Sequence, residues 1–286
     1  MKYGITAGFG NLLTASEMTT IRACDWDIVR QDVQRCTVAQ TATLINQITQ
    51  YGLTPLVLCT AAQVTTLPNG IDAEVLEAID PTPSGLEPSF RVDPHKYADA
   101  INAIVPIAEA KGIRLWTCLA GLDKNALAWL ATVCASLDPY CGISVHRYPP
   151  ADCQSWEESH VSWWTRLWSS RTGRQIEMDR FRAIIGNRLF GVGEFGYNQM
   201  PWQEWYHKLV FKHRHSTDQE IIDMARGEYQ YWQDSGATFA CWWQFKEGPS
   251  RCATHPDYAD KESGGFGLMR PDGRYKPVME LWKYIN

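Results

Sequence analysis

LFGVGEFGY, Leu189 to Tyr197, is a short apolar run that closes on a glutamate set between glycines. It reads as a β-strand, and Glu194 falls at its C-terminal end. Seven further runs of this kind occur along the chain: KYGITAG (2–8), WDIVRQDV (26–33), TPLVLCT (54–60), AEVLEAI (73–79), GIRLWTCLAG (112–121), CGISVHRY (141–148) and ATFACWWQF (237–245). Eight strands is the number that closes a (β/α)8 barrel.

Helical patterns fill most of the gaps. TVAQTATLINQITQYG precedes the third run, and PHKYADAINAIVPIAEAKG precedes the fifth and stops at Lys111-Gly112, a helix terminator. The third crossover, AAQVTTLPNGID, is too short for a full helix, and DAEVLEAI also reads as a helix capped by Asp72. No Pro/Gly/Ser-rich linker divides the chain. The expectation is a single α/β domain over residues 1–286, a (β/α)8 TIM barrel.

Composition narrows the function classes. At 286 residues the chain can bury a sizeable core, and its net charge of −5 with scattered Lys and Arg argues against nucleic acid or an anionic membrane as partner. No run approaches the roughly 20 apolar residues of a membrane span. The N-terminus reads as a first strand rather than a secretory leader, so the expected location is the cytoplasm, a virion, or outside the cell as a trimmed chain. Nine cysteines without a C-x-x-C spacing suggest buried thiols rather than a disulfide frame or zinc site. Thirteen tryptophans are the anomaly. They suit either an aromatic core or a site that stacks sugar rings.

Polar and aromatic residues collect at the strand ends: Arg30, His146, Tyr148, Glu194, Trp242 and Trp243. In such barrels catalytic groups come from this C-terminal rim. Here the chain resembles the large clan of retaining glycoside hydrolases on (β/α)8 barrels, whose acid/base and nucleophile are glutamates on the fourth and seventh strands. GVGEFGY resembles its seventh-strand motif and matches the nucleophile to Glu194. DIVRQDV is similar to its second strand, matching Arg30, and ISVHRYPP to the sixth, matching His146 and Tyr148. CWWQF resembles the eighth, whose tryptophan floors the sugar site, and GFGLMRPDGRYKPVMELWKYI resembles the closing segment, where a last turn and helix seal the barrel. The fourth strand departs from the clan's Glu-x-x-Asn-Glu-Pro. One register of EAIDPTPSG sets Glu77 at the first glutamate and Asp80 at the asparagine, with Pro81 at the acid; another makes Glu77 the acid. Glu87 is a third possibility.

Retention needs a nucleophilic carboxylate and a proton-donating carboxyl about 5 to 5.5 Å apart. Arg30 would keep Glu194 ionised, Tyr148 would orient it, and Gly193 and Gly196 would leave the approach open. The acid, from Glu77 or Asp80, needs a raised pKa. His146 reads better as an orienter of a carboxylate than as a direct sugar contact. Strand alternation lets only one of Trp242 and Trp243 face the site. SWEESHVSWWTRLWSS and YNQMPWQEWYHK, with Trp156, Trp163, Trp164, Trp168, Trp202 and Trp205, are either core packing or an aromatic rim for further sugar units. No dinucleotide or Walker loop occurs, and His207, His213 and His215 lack acidic partners for a metal. No cofactor is expected, and the partner expected is an oligo- or polysaccharide. The alternative is a catalytically weakened barrel that binds carbohydrate within a larger assembly such as a virion or cell-surface complex.

Overall fold

In a computed structural model, residues 1–7, 13–77, 92–122, 124–147, 173–196, 202–206, 209–213, 217–246, 267–270 and 273–284 are described. The elements run β1 (Lys2–Thr6), α1 (Ala15–Ala23), β2 (Ile28–Asp32), α2 (Val38–Gln50), β3 (Thr54–Thr60), α3 (Ala61–Val64), β4 (Asp72–Glu77), α4 (Pro94–Lys111), β5 (Arg114–Ala120), α5 (Lys124–Ser136), β6 (Gly142–His146), α6 (Gly173–Ile185) and β7 (Phe190–Phe195). There follow β8 (Trp202–Tyr206), β9 (Leu209–His213), α7 (Asp218–Asp234), β10 (Phe239–Trp242) and a 3-10 segment, Pro277–Tyr284. β1 to β7 and β10 close an all-parallel barrel in the order β1-β10-β7-β6-β5-β4-β3-β2. The eight expected strands are these eight.

Local chemistry sets the helix boundaries. Thr14 with Glu17, Thr37 with Gln40 and Thr217 with Glu220 form reciprocal capping boxes at the starts of α1, α2 and α7, each satisfying backbone donors that the first helical turn leaves without partners. Asp93 caps α4, which ends where Gly112 takes φ +63°, a conformation costly for a residue with a Cβ. The short third crossover holds only α3, a single turn. Residues 72–77 form a strand, so the helical reading of DAEVLEAI is overturned: this segment must fill the gap between β3 and β5 in the closed wall.

Two shells hold the barrel together. Outward residues such as Val29, Val57, Val75, Val145 and Val192 pack with α-helical Leu44, Ile101, Leu130, Phe181 and Trp232. Inside, Ile28, Leu56, Trp116, Phe239 and Cys241 form a separate cluster, and the Trp116 and Phe239 rings meet edge-on at 4.8 Å. Space for these groups comes from glycines: a Cβ on Gly142 would run into the Trp116 ring, one on Gly191 into Phe239, and one on Gly4 into Cys241. The lower barrel is therefore filled by side chains, and its C-terminal end is left to carry a site.

Three register shifts lie near the C-terminal ends of the strands, between β3 and β4, β6 and β7, and β7 and β10. Such bulges re-aim the side chains beyond them. β8 and β9 form an antiparallel hairpin between β7 and α7, two strands that are not among the eight expected. The expected closing helix is the 3-10 segment, kinked at Glu280. It buries Val278, Met279 and Leu281, and the Met279 carbonyl accepts a hydrogen bond from Trp26 Nε1 at 3.1 Å. Among the described residues, Cys24, Cys36, Cys59, Cys118, Cys134, Cys141 and Cys241 are not joined in disulfides, and no helix is long and apolar enough to cross a membrane.

Candidate active site

Arg30 decides the site, because a guanidinium stays protonated at any ordinary pH and must be met by anions when it is buried. It points into the barrel from β2 and is 1% exposed. Its Nε donates to Glu74 Oε2 at 2.6 Å and its Nη1 to Glu194 Oε1 at 2.8 Å. One cation thus bridges carboxylates from β4 and β7.

His146, on β6, completes the group. Its Nε2 lies 2.6 Å from Glu74 Oε1 and its Nδ1 3.5 Å from Glu194 Oε1. An ionised carboxylate only accepts, so Nε2 carries the proton toward Glu74. Arg30 Nη2 stands 3.1 Å from the same Nε2. Two donors at that distance do not bond each other, and their repulsion is balanced by the two glutamates. Cys118, on β5, places its Sγ 3.5 Å from Nε2 and 3.7 Å from Nδ1.

The electrostatics follow from this packing. Burial alone would raise the Glu74 carboxyl; Arg30 and His146 outweigh it and hold the group well below the usual carboxylate range. Burial would lower the His146 imidazole, but Cys118, Glu194 and Glu74 lift it well above its ordinary value. With His146 protonated, the two cations, Arg30 and His146, both face the carboxylates of Glu74 and Glu194. Glu74 is fully buried with both oxygens engaged, so it is an anchor and not a proton donor. Glu194 lies at the rim end of β7, 5% exposed.

Gly193 has a different part from the open approach expected for it. A Cβ there would stand 2.5 Å from Ser144 Oγ, 2.8 Å from His146 Nε2 and 2.9 Å from Glu74 Oε1. Its missing side chain makes room for the network beneath Glu194.

The structure therefore brings together Arg30, His146 and Glu194 of the expected residues. Trp242 is corrected: it is 1% exposed and packs outward, with its ring 5.5 Å from Phe195 in the outer core. Trp243, next in the chain, is half-buried at the end of β10, and its N–H donates to the Phe195 carbonyl at 2.6 Å. Asp80, Glu87, Tyr148 and the tryptophans from Trp156 to Trp168 lie outside the described residues. Glu77 is placed by its backbone, opposite Thr60 beyond the β3–β4 register shift.

Two residues of the network were missed, Glu74 and Cys118. Glu74 had a signal: in Asp72-Ala73-Glu74-Val75 the polar residues share one parity, and Arg30 required a buried anion. Glu74, Cys118 and His146 offer ligand atoms within 4.8 Å of one another. The His146 Nε2 to Glu74 Oε1 contact of 2.6 Å is a hydrogen bond, shorter than the roughly 3.3 Å that separates two ligands about 2 Å from a tetrahedral ion. Arg30 already provides the cation, so these residues do not fit a metal.

No family model and no curated protein matches the chain. Solved structures do. An endo-laminarinase from Formosa Hel1_33_131 superimposes with TM-score 0.63 at 13% identity, over 99% of this chain and 86% of that one. A GH10 endoxylanase from a sugarcane soil metagenome gives TM-score 0.60 at 7% identity, over 99% and 97%. A D-psicose 3-epimerase from Clostridium cellulolyticum H10 gives 0.51 at 11%, over 100% and 98%. The likeness is one of fold. Hydrolases and an epimerase share this barrel, so chemistry has to be argued from the site.

Proposed function

We propose that the protein is a glycoside hydrolase that cleaves a β-linked oligo- or polysaccharide with retention, using Glu194 as nucleophile at the C-terminal rim. The observation that carries this reading is the rim carboxylate of Glu194, bonded by permanently charged Arg30 at 2.8 Å and faced by His146. A charge-assisted bond fixes and aims the carboxylate, as attack on an anomeric carbon requires. Trp243 is the sugar floor. The proton donor comes from the end of β4 or the segment after it: Glu77, Asp80 or Glu87. The laminarinase and xylanase named above share this barrel, which adds weight to a glycan substrate.

A second reading is favoured by one observation. Glu74, whose side chain is described on β4, is sequestered in ion pairs and cannot give up a proton. If no later carboxyl takes over that task, the barrel binds carbohydrate without cutting it, as a component of a larger assembly.

Reducing-end release from β-linked glucans, mannans, xylans and galactans separates the readings. Activity in the native chain that disappears in Glu194→Gln supports hydrolysis. Activity that survives the substitution removes Glu194 as nucleophile. Saturable binding of a glycan without release supports the second reading.

A further inference from the structure

A second buried ion pair stands behind the site, on the helix side of the barrel wall. Along β6, Ile143 and Val145 pack in the outer core while His146 enters the site. Arg147 follows it, and its Nη2 donates to Glu177 Oε2 of α6 at 3.0 Å, the two side chains only 6% and 4% exposed. The Arg147 backbone N–H donates to the Glu194 carbonyl at 2.8 Å.

This bond comes just beyond the β6–β7 register shift. Val145 pairs with Val192, but His146 pairs with Glu194, so Gly193 is passed over. A regular ladder would set His146 opposite Gly193 and turn Glu194 to the other face, because a one-residue slip exchanges the two faces of a strand. Glycine takes the bulged form readily, but its freedom admits the regular ladder as well. Contacts from outside the strand then select between the two.

We infer that Glu177 is a positioning residue. It clamps Arg147, whose backbone bond to Glu194 holds the bulge that turns this carboxylate inward, toward Arg30 and His146. The clamp touches no substrate. Its bearing on catalysis rests on the proposed role of Glu194, but its bearing on the geometry does not.

The experiment uses the full chain and two readouts. The first is the ring NMR signal of His146, assigned among the seven histidines by its loss in His146→Gln. In Glu177→Gln the signal should move toward its position in Glu194→Gln, and its titration midpoint should fall as the Glu194 anion withdraws. Glu177→Asp should restore part of the native signal. The second readout is glycan hydrolysis, where kcat should fall about 100-fold, the scale of a misplacement near 1 Å, with KM little changed. If Glu177→Gln does not fold, Arg147→Lys, which keeps the charge but not the guanidinium fork, is measured in its place with the same expectation. A His146 signal that overlays the native one while the melting temperature drops would reduce the pair to a structural brace and overturn the proposal. Because the NMR arm needs no substrate, a protein inactive on every glycan still decides it, and fails only the hydrolase reading.

Discussion

Arg30 Nε and Glu74 Oε2 meet at 2.6 Å at the centre of the barrel, beyond the reach of solvent. The contact ties β2 to β4, and through the other arms of the same guanidinium and carboxylate it reaches β6 and β7. Four strands of the rim thus depend on one pair.

Glu74→Gln should therefore be severe. Removing one partner of a buried pair leaves a charge unmatched and costs about 3 to 5 kcal/mol, and here His146 loses its anion as well. Denaturant unfolding of native and variant chains would measure it; a change under about 1 kcal/mol would mean that the network contributes little to the fold.

Stability against pH should bend in opposite directions for the two titrating anchors. The lowered carboxyl of Glu74 stabilises the fold above the ordinary glutamate value, about 4.3, and the contribution disappears only as pH falls through its lower folded value. The raised imidazole of His146 contributes fully below about pH 6.5, and that contribution is lost as pH rises through its higher folded value. Melting temperatures should decline on the alkaline side in the native chain and less so in His146→Gln. Parallel alkaline declines would remove His146 as the cause.

Gly193→Ala tests crowding without touching a charge. The new methyl would press on Ser144, His146 and Glu74 together, and two of these are held by short hydrogen bonds and cannot withdraw. A destabilisation of about 1 to 3 kcal/mol is expected, together with loss of whatever activity the native chain shows. A neutral substitution would show that the rim is looser than its contacts imply.

The adjacent tryptophans should separate cleanly. Trp242→Ala empties a place in the outer core and should cost about 3 to 5 kcal/mol. Trp243→Ala should leave melting nearly unchanged and weaken glycan binding, read by quenching of tryptophan fluorescence. The reverse pattern would exchange their roles.

The barrel was legible because most of its strands are self-contained apolar runs and several helices have a stop or cap written in neighbouring residues, as at Lys111-Gly112. The site was legible in part. Arg30 within β2 and His146 and Glu194 at strand ends are polar residues in apolar runs and can be found one at a time, whereas Glu74 matters through contacts between strands far apart in the chain. Sequence spacing does not show such contacts; only the need of a buried arginine for anions points to them. Arg147 and Glu177 were missed for the same reason, being joined across a wall and a helix. The β8–β9 hairpin was missed because WQEWY and LVFKH lack the long apolar character of the barrel strands.

The inner glycines also bear on how such a chain can evolve. Gly142 and Trp116, Gly191 and Phe239, and Gly4 and Cys241 are partners in which one residue's emptiness is the other's volume. Neither member of a pair can drift alone: enlarging the glycine collides, and shrinking its neighbour leaves a void. Substitutions in this layer should be accepted two at a time, as exchanges of size between adjacent strands. Descendants could then look unrelated position by position while conserving the summed volume across each pair.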